Sequence, residues 1–137
     1  DKGFARYLLG NWETYTVNNS NLPNNYILDI AVNNNEIWLA TKSGLAKFEN
    51  GSFTVFNTGN SALPDNWVTA VEFNNNGVLY VGTYSGGIVE INGNTYTIFT
   101  KNGNNLPGNS ITCISSDNLG RMWFGHLQTS DENGGLS

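Results

Sequence analysis

Short apolar runs alternate with polar turn residues along the whole chain. β-Branched and aromatic residues fill stretches of about five residues, and Asn, Gly, Ser and Asp interrupt them roughly every ten residues. No segment shows the 3.6-residue apolar period of an amphipathic helix. The pattern therefore indicates an all-β fold. It predicts strands over residues 3–7, 12–17, 27–32, 37–41, 44–48, 53–56, 68–73, 79–83, 87–91, 96–99, 111–115 and 122–126.

The strands recur in units that the dipeptide Leu-Pro marks. It occurs at residues 22–23, 63–64 and 106–107, with spacings of 41 and 43 residues. Each pair is followed by a β-branched strand, a polar turn and a short aromatic strand. After the first two pairs, a third strand that begins with glycine and a fourth strand complete the unit. Four-stranded units of about 40–45 residues are typical of β-propeller blades. The sequence predicts a single propeller segment over residues 1–137, with repeats at approximately 3–43, 44–86 and 87–134.

The repeats are out of phase with the ends of the sequence. Residues 3–7 align with residues 44–48, so the first part of the chain supplies the third and fourth strands of a blade. The last part supplies a first and a second strand and reaches the start of a third. This amounts to three blades, whereas propellers close with about four to eight. The segment therefore belongs to a larger propeller, or two copies complete each other's half-blades in a six-bladed ring. The complementary ends favour such a homodimer.

Composition excludes several classes of protein. Charged and aromatic residues each make up 12 % of the chain, which disagrees with both a disordered segment and a coiled coil. The net charge is −5 and the six Lys and Arg residues are scattered, so nucleic acid is not an expected partner. No apolar run approaches the roughly 18 residues of a membrane-spanning helix. The chain starts at Asp1 without a signal peptide, as a mature or excised product would. The single Cys113 permits no internal disulfide, and we expect it to be buried in an inner strand.

Three stretches carry a resemblance to a known repeat. Residues 106–111 read Leu-Pro-Gly-Asn-Ser-Ile, residues 117–125 read Asp-Asn-Leu-Gly-Arg-Met-Trp-Phe-Gly, and residues 82–87 read Gly-Thr-Tyr-Ser-Gly-Gly. They resemble the two-component regulator propeller repeat, which occurs in the periplasmic sensor halves of Bacteroidetes hybrid histidine kinases and in related surface proteins. Ala40 in place of glycine and His126 in place of threonine depart from the pattern. The resemblance implies an extracytoplasmic domain, periplasmic or at the cell surface, that senses a ligand or binds a partner and carries no catalytic residue.

Loops at one face of the propeller carry the candidate binding residues. The loop that enters the innermost strand of a blade and the loop between its second and third strands lie on the same face, where rigid blades present variable loops. The candidates in the first set of loops are Tyr26, Trp67 and Ser110, and those in the second set are Lys42, Tyr84 and Gln128, with His126 beside them. Aromatic rings next to amide and hydroxyl groups suit a carbohydrate, and Trp67 would also serve a peptide. The alternative is that Tyr26 and Trp67 only pack over the tops of the blades.

Other large aromatic residues indicate packing rather than binding. Trp38, Tyr80 and Trp123 occupy equivalent positions in the second strand of each blade, where we expect them to fill the space between blades. Trp12, Phe53 and Tyr96 begin the outer strands and are expected to pack as well. His126, the single histidine, is expected to be a polar substitute for the threonines at 41 and 83.

Metal and catalytic sites are not expected. Residues 117–120 offer oxygen ligands but lack the remaining ligand spacing of a calcium loop, so they predict a hairpin turn. We expect the insert at residues 130–133 to be a solvated loop. The inner strands offer only Asp29, Glu72 and Asp117 to a hydrolase, and the sequence contains neither a nucleophile elbow nor a phosphate loop. We therefore expect no cofactor and no enzymatic activity.

These observations predict a non-catalytic module that recognises a glycan, a peptide or a protein partner at its loop face. The alternative is a structural unit whose three-blade protomers close a six-bladed ring. A hydrolase domain is the third hypothesis. The expected partners are a carbohydrate or peptide ligand and a second copy of the chain, with no nucleic acid and no insertion of this segment into a membrane.

Overall fold

The computed structural model describes residues 2–127 and the backbone of residues 135–136. The strands are β1 (Phe4–Leu8), β2 (Asn11–Tyr15), β3 (Ile27–Asn33), β4 (Glu36–Thr41), β5 (Gly44–Glu49), β6 (Ser52–Phe56), β7 (Val68–Phe73), β8 (Leu79–Thr83), β9 (Ile88–Asn92), β10 (Thr95–Phe99), β11 (Ile111–Ser116), β12 (Met122–His126) and β13 (Gly135–Leu136). They follow the predicted strands to within two residues at nearly every end, because each turn signal in the sequence does end a strand.

The strands form four antiparallel sheets in the order of the chain. Two sheets have four strands, β3-β4-β5-β6 and β7-β8-β9-β10, and these are the two complete blades. A two-stranded sheet, β1-β2, precedes them, and a three-stranded sheet, β11-β12-β13, follows. The all-β propeller architecture predicted from the repeats is therefore confirmed. We call these sheets, from β1-β2 onward, the leading, first, second and third sheets, and the last three of them are the first, second and third blades.

Three hydrophobic clusters lie where neighbouring sheets meet. Phe4 of the leading sheet packs with Leu39, Phe48 and Phe53 of the first sheet. The cluster between the first and second sheets joins buried aliphatic residues of both sheets around Trp38, which is 8 % exposed. The third cluster joins Ala70 and Ile88 to Ile111 and Ile114. Each sheet thus buries its face against the next sheet, as a propeller requires.

A glycine at the start of the third strand is required by a close backbone approach. Gly87 has φ of 85°, and a Cβ there would lie 2.1 Å from the carbonyl oxygen of Phe99. Gly3 and Gly44 occupy the same position in the preceding sheets, with φ of 76° and 124° and similarly close carbonyl oxygens. Any side chain would collide with the neighbouring strand, which explains why the repeat keeps glycine at this position.

Asparagine side chains accept hydrogen bonds from backbone N–H groups in the loops. Asn66 Oδ1 accepts a hydrogen bond from Thr58 N–H over 2.8 Å, and Asn25 and Asn109 accept the equivalent bonds from Val17 and Lys101. These loops contain few ladder hydrogen bonds, so an amide side chain supplies the acceptor that the backbone lacks. The repeated asparagine after Leu-Pro is therefore a structural element of every blade.

One helical turn, α1 (Lys101–Asn104), was not expected from the sequence. Thr100 is its N-cap, because its side chain accepts a hydrogen bond from Gly103 N–H. The turn ends at Asn105, which adopts the left-handed conformation with φ of 58°. It buries no residue, so no apolar periodicity could have predicted it.

Three expectations of burial are wrong, and all three residues lie in the two incomplete sheets. Cys113 is exposed, whereas its equivalent Ala70 is 1 % exposed because the third sheet covers it. Trp123 is 38 % exposed, whereas its equivalent Trp38 is buried against the second sheet. No sheet among the described residues covers that face of the third sheet. Trp12, 70 % exposed, lies in the leading sheet, which has only two strands.

No helix in the described part of the chain is long and apolar enough to cross a membrane.

Candidate functional site at the loop face

The two loops of each blade that were expected on one face are joined by hydrogen bonds in all three blades. Each bond links the loop before the innermost strand to the loop after the second strand. The pairs are Asn24 Nδ2 with Ser43 Oγ at 2.9 Å, Tyr84 N with the Trp67 carbonyl at 2.9 Å, and Leu127 N with the Ser110 carbonyl at 2.9 Å. The two loops are thus paired in each of the three blades, and we call the surface made by these paired loops the loop face.

Four of the predicted binding residues form a cluster on the loop face. Trp67 and Tyr84 stack with ring centroids 4.3 Å apart and an interplanar angle of 13°. The Lys42 ammonium group lies 5.0 Å from the centroid of the Trp67 ring and 4.5 Å from that of the Tyr26 ring. We call Tyr26, Lys42, Trp67 and Tyr84 the aromatic cluster. It joins the first blade to the second, because each of these blades supplies two of its residues.

The rings of the aromatic cluster remain accessible to solvent. Tyr26 is 65 % exposed, Tyr84 43 % and Trp67 36 %. Residues that only pack over blade tops would bury their faces, as Trp38 does between the sheets. Three large exposed rings lie on one surface, two of them stacked on each other and two of them against the Lys42 ammonium group. Such exposure is a feature of binding sites rather than of a core.

Asp65 holds the second-blade half of the aromatic cluster in place. Its carboxylate accepts hydrogen bonds from Trp67 N–H at 3.0 Å and, across the loops, from Ser85 N–H at 2.9 Å and Ser85 Oγ at 2.8 Å. In the first blade, Asn24 accepts a bond from Tyr26 N–H at 2.8 Å in the same way. Sequence reasoning missed both residues. The available signal was the polar residue directly after Leu-Pro in these two repeats.

A cleft of about 300 Å³ adjoins the aromatic cluster. The stacked pair Trp67 and Tyr84 forms part of its wall, together with Ser110, Ile111 and Leu127. The rest of the wall consists of Leu28, Thr69 and Thr112. These three residues share one property, because each is the extra residue of a β-bulge in an innermost strand.

The bulges explain why the cleft forms at this position. Each innermost strand shifts register against its neighbour at the same point, between Ile27 and Asp29, Val68 and Ala70, and Ile111 and Cys113. A bulge bends the strand and re-aims the extra side chain. Three successive innermost strands therefore direct one side chain each into the same space. The predicted strands contain no signal for these bulges, so Thr69 and Thr112 were not identified from the sequence.

The remaining predicted binding residues do not belong to the aromatic cluster. Ser110 lines the cleft but is only 5 % exposed. His126 is 7 % exposed and its Nδ1 lies 2.9 Å from the Gly108 carbonyl oxygen, to which a protonated Nδ1 donates. His126 therefore ties the loops of the third blade together, at the same strand position as the buried Thr41 and Thr83. Gln128 and the insert at 130–133 lie outside the described residues.

The carboxylates of the inner strands and the hairpin are engaged in the fold. Asp29 accepts a hydrogen bond from Val71 N–H of the next blade at 3.0 Å, and Glu72 accepts one from Ser116 Oγ at 3.0 Å. Asp117 accepts bonds from Trp123 Nε1 at 3.0 Å and Arg121 Nε at 2.7 Å. These bonds, and those from the backbone of its own turn, hold the pKa of the Asp117 carboxyl well below its usual range. Residues 2–127 contain no group of three or more His, Cys, Asp or Glu that could hold a metal ion.

Comparison with known families identifies one repeat of the chain. Residues 105–128 match the model of the family described as "two component regulator propeller". This stretch contains the loop, β11 and β12 of the third sheet, and two of the motifs on which the resemblance was based. A comparison with curated proteins gives no match.

Solved structures with a similar fold include two from bacterial surfaces. The extracellular domain of BT3049 from B. thetaiotaomicron, assigned to a hybrid two component system, superimposes with a TM-score of 0.69 at 23 % identity, over 90 % of this chain and 19 % of that one. PorZ, a surface component of the type-IX secretion system of Porphyromonas gingivalis, gives a TM-score of 0.64 at 22 % identity, over 80 % of this chain and 17 % of that one. At these identities the likeness establishes the shared propeller fold. The chain spans about a fifth of the length of these proteins.

Proposed function

We propose, from the premise that this chain carries a two-component regulator propeller repeat, that it is a non-catalytic binding module of an extracytoplasmic sensor or surface protein. The two similar structures are an extracellular domain and a bacterial surface component, which supports a periplasmic or cell-surface location. The ligand we propose is a glycan, and its site is the aromatic cluster with the adjoining cleft.

One observation carries this proposal. Residues from two blades place three exposed rings and one ammonium group on a single surface, at the edge of a cleft that contains hydroxyl groups. Aromatic faces stack on the C–H faces of sugar rings, and the cleft hydroxyls are suitable partners for sugar hydroxyls. The hydrogen bonds of Asp65 and Asn24 fix the loops before a ligand arrives, so little conformational entropy is lost on binding.

The surroundings of the carboxylates favour binding over hydrolysis. A glycosidase of the common kind needs two carboxyl groups about 5–10 Å apart on either side of the sugar bond. Asp29 and Glu72 instead accept hydrogen bonds from the adjacent blade, and neither lines the cleft. Their engagement in blade contacts supports a module that binds without chemistry.

The proposal is tested by measuring glycan binding with and without the stacked pair. The wild-type chain is first screened on a glycan array, and the affinity for any bound glycan is then measured by titration calorimetry. Because truncation of a central aromatic residue costs on the order of 2 kcal/mol of binding free energy, Trp67→Ala and Tyr84→Ala should each weaken binding by more than about tenfold.

Trp12→Ala is the matched control, since Trp12 is an exposed tryptophan on β2 and belongs to neither the aromatic cluster nor the cleft. It should bind as the wild type does. The proposal is wrong if no glycan binds, or if Trp67→Ala retains full affinity for the glycan that does.

A further inference from the structure

Within the described chain, Lys42 lacks the salt bridge that three other basic residues form. Arg6, Lys47 and Arg121 each form a salt bridge with a nearby carboxylate, at distances of 2.5–2.8 Å. The Lys42 ammonium forms no salt bridge with any residue of the described chain, and its contacts are the faces of Tyr26 and Trp67. An acidic protein thus keeps a cation without a salt bridge in the aromatic cluster.

The two rings orient Lys42 without neutralising it. A cation–π contact attracts the ammonium group through the ring quadrupole, and at exposed sites it contributes about 0.5–1 kcal/mol. The positive charge stays available, because neither ring carries a formal negative charge. The arrangement therefore restricts a flexible side chain while its ammonium group can still donate a hydrogen bond to an anionic group.

The cleft beside Lys42 suits a polyhydroxylated ring. Trp67 belongs to both the aromatic cluster and the cleft wall, so the cation and the cleft share one ring. Thr69, Ser110 and Thr112, which each carry a hydroxyl group, line the wall. The Thr69 Oγ1 atom is buried and has no hydrogen-bond partner among the described residues, so one residue of the wall carries an unsatisfied polar group. The volume of the cleft, about 300 Å³, is at the lower end of the volumes of small-molecule sites. The cleft would therefore take one sugar unit of a longer ligand.

We propose that the glycan recognised at this site is acidic, and that a carboxylated sugar unit pairs its carboxylate with Lys42. The sugar ring lies against the Trp67–Tyr84 pair and its hydroxyls meet the threonine and serine side chains of the cleft. This inference rests on the function proposed above and adds the class of sugar. A uronic acid satisfies all three features at once, because it combines a carboxylate, several hydroxyls and an apolar ring face.

An acidic peptide would satisfy the charge but not the cleft. Aspartate and glutamate side chains are flexible and present no ring to stack on Trp67 or Tyr84. They also offer only acceptor atoms when ionised, whereas the hydroxyls of the cleft need both donors and acceptors. The combined features of the site therefore favour a carbohydrate.

The test uses one sugar scaffold in charged and uncharged forms. Calorimetry compares an oligogalacturonide with its methyl-esterified form, which keeps the ring and the hydroxyls and removes the charge. Lys42→Met keeps an apolar side chain of similar length without the charge, and Lys42→Arg keeps the charge. Arg121→Met, in the hairpin between β11 and β12, is the control for the loss of one positive charge elsewhere.

We expect the acidic oligosaccharide to bind the wild type and Lys42→Arg. The affinity of this oligosaccharide for Lys42→Met should be lower by roughly fivefold or more, because an exposed ion pair contributes about 1 kcal/mol. Esterification should cause a loss of the same size, and Arg121→Met should cause none. Added salt should weaken binding to the wild type more than binding to Lys42→Met.

Three outcomes would overturn the inference, and they separate it from the proposed function. Equal affinity for the acidic and esterified sugars, unaffected by Lys42→Met, contradicts the acidic ligand but leaves glycan binding intact. Binding of polyglutamate that depends on Lys42, without binding of either sugar, replaces the carbohydrate with an acidic peptide. Absence of binding to the acidic sugar and to every neutral glycan on the array refutes both proposals.

Discussion

At the scale of single residues, the turns of this protein depend on the left-handed backbone conformation. The hairpin between β5 and β6 places Asn50 and Gly51 at φ of 51° and 83°, a pair of residues that tolerates positive φ. The equivalent hairpin between β1 and β2 has φ of 50° and 85°, but its first residue is Leu9. A branched apolar side chain therefore occupies a strained position, where it is also 90 % exposed.

Leu9→Asn should stabilise the leading sheet. It relieves steric strain of roughly 1 kcal/mol at a residue in the left-handed region and removes an exposed apolar side chain. Slower amide exchange in β1 and β2 is the expected result, together with a higher midpoint of urea unfolding if this sheet unfolds with the rest. The reciprocal change Asn50→Leu should destabilise the first sheet by a similar amount. Equal exchange rates in Leu9→Asn and the wild type would show that the leucine is not strained.

At the scale of elements, the loops of the second blade are held together through Asp65. Ser85 donates both its backbone N–H and its hydroxyl to this carboxylate. Asp65→Ala should therefore release the loop between β8 and β9. Because a hydrogen bond to a charged acceptor contributes about 1.5–3 kcal/mol, the Ser85 amide should exchange roughly tenfold faster or more.

The first blade provides the control for this prediction. Asn24→Ala removes the bonds to Tyr26 N–H and Ser43 Oγ and should affect exchange in the first blade alone. If Asp65 acts only by positioning, Asp65→Ala should weaken glycan binding less than Trp67→Ala does. Unchanged exchange at Ser85 in Asp65→Ala would contradict the role assigned to this carboxylate.

The sequence predicted the strands well because each is a local pattern with a local stop signal. Val68–Phe73, Leu79–Thr83 and Met122–His126 agree with the predicted bounds at both ends. The bulges at Leu28, Thr69 and Thr112 could not be predicted, since a register shift depends on the partner strand and changes no residue pattern. The aromatic cluster was predicted residue by residue, but its hydrogen-bonded supports were not.

At the scale of the whole molecule, burial depends on the neighbouring sheet and not on the residue. Ala70 and Cys113 occupy the same position, yet only Ala70 is covered. No repeat pattern distinguishes the two, so the exposure of Cys113 and Trp123 could not be read from the sequence. The closing of a ring by two copies stays a prediction. Along β12, the place of a third strand is taken by β13 of the same chain, with Gly125 opposite Leu136.

The interface between the second and third sheets contains a group that couples stability to alkaline pH. Tyr80 packs in this interface 6.0 Å from the ring of Phe124, and its hydroxyl donates to Glu90 Oε2 over 2.5 Å. Burial, followed by this hydrogen bond and the charge of Glu90, raises the pKa of Tyr80 to about 12 from its usual value of 10.0. The folded protein therefore holds the phenol proton more tightly than the unfolded chain does.

This difference predicts the pH range in which the protein loses stability. The contribution of Tyr80 is fully present below pH 10.0 and disappears as the pH rises towards about 12, since only the unfolded chain releases the proton early in that range. The free energy of unfolding, measured by urea titration from neutral pH to about pH 11, should fall less steeply in Tyr80→Phe than in the wild type. Tyr80→Phe should also be less stable at neutral pH, through loss of the bond to Glu90, so the slope with pH is the informative quantity. Tyr7→Phe, at an exposed position of β1, controls for the removal of one hydroxyl. Parallel slopes in the wild type and Tyr80→Phe would mean that the phenol does not couple the interface between these two sheets to pH.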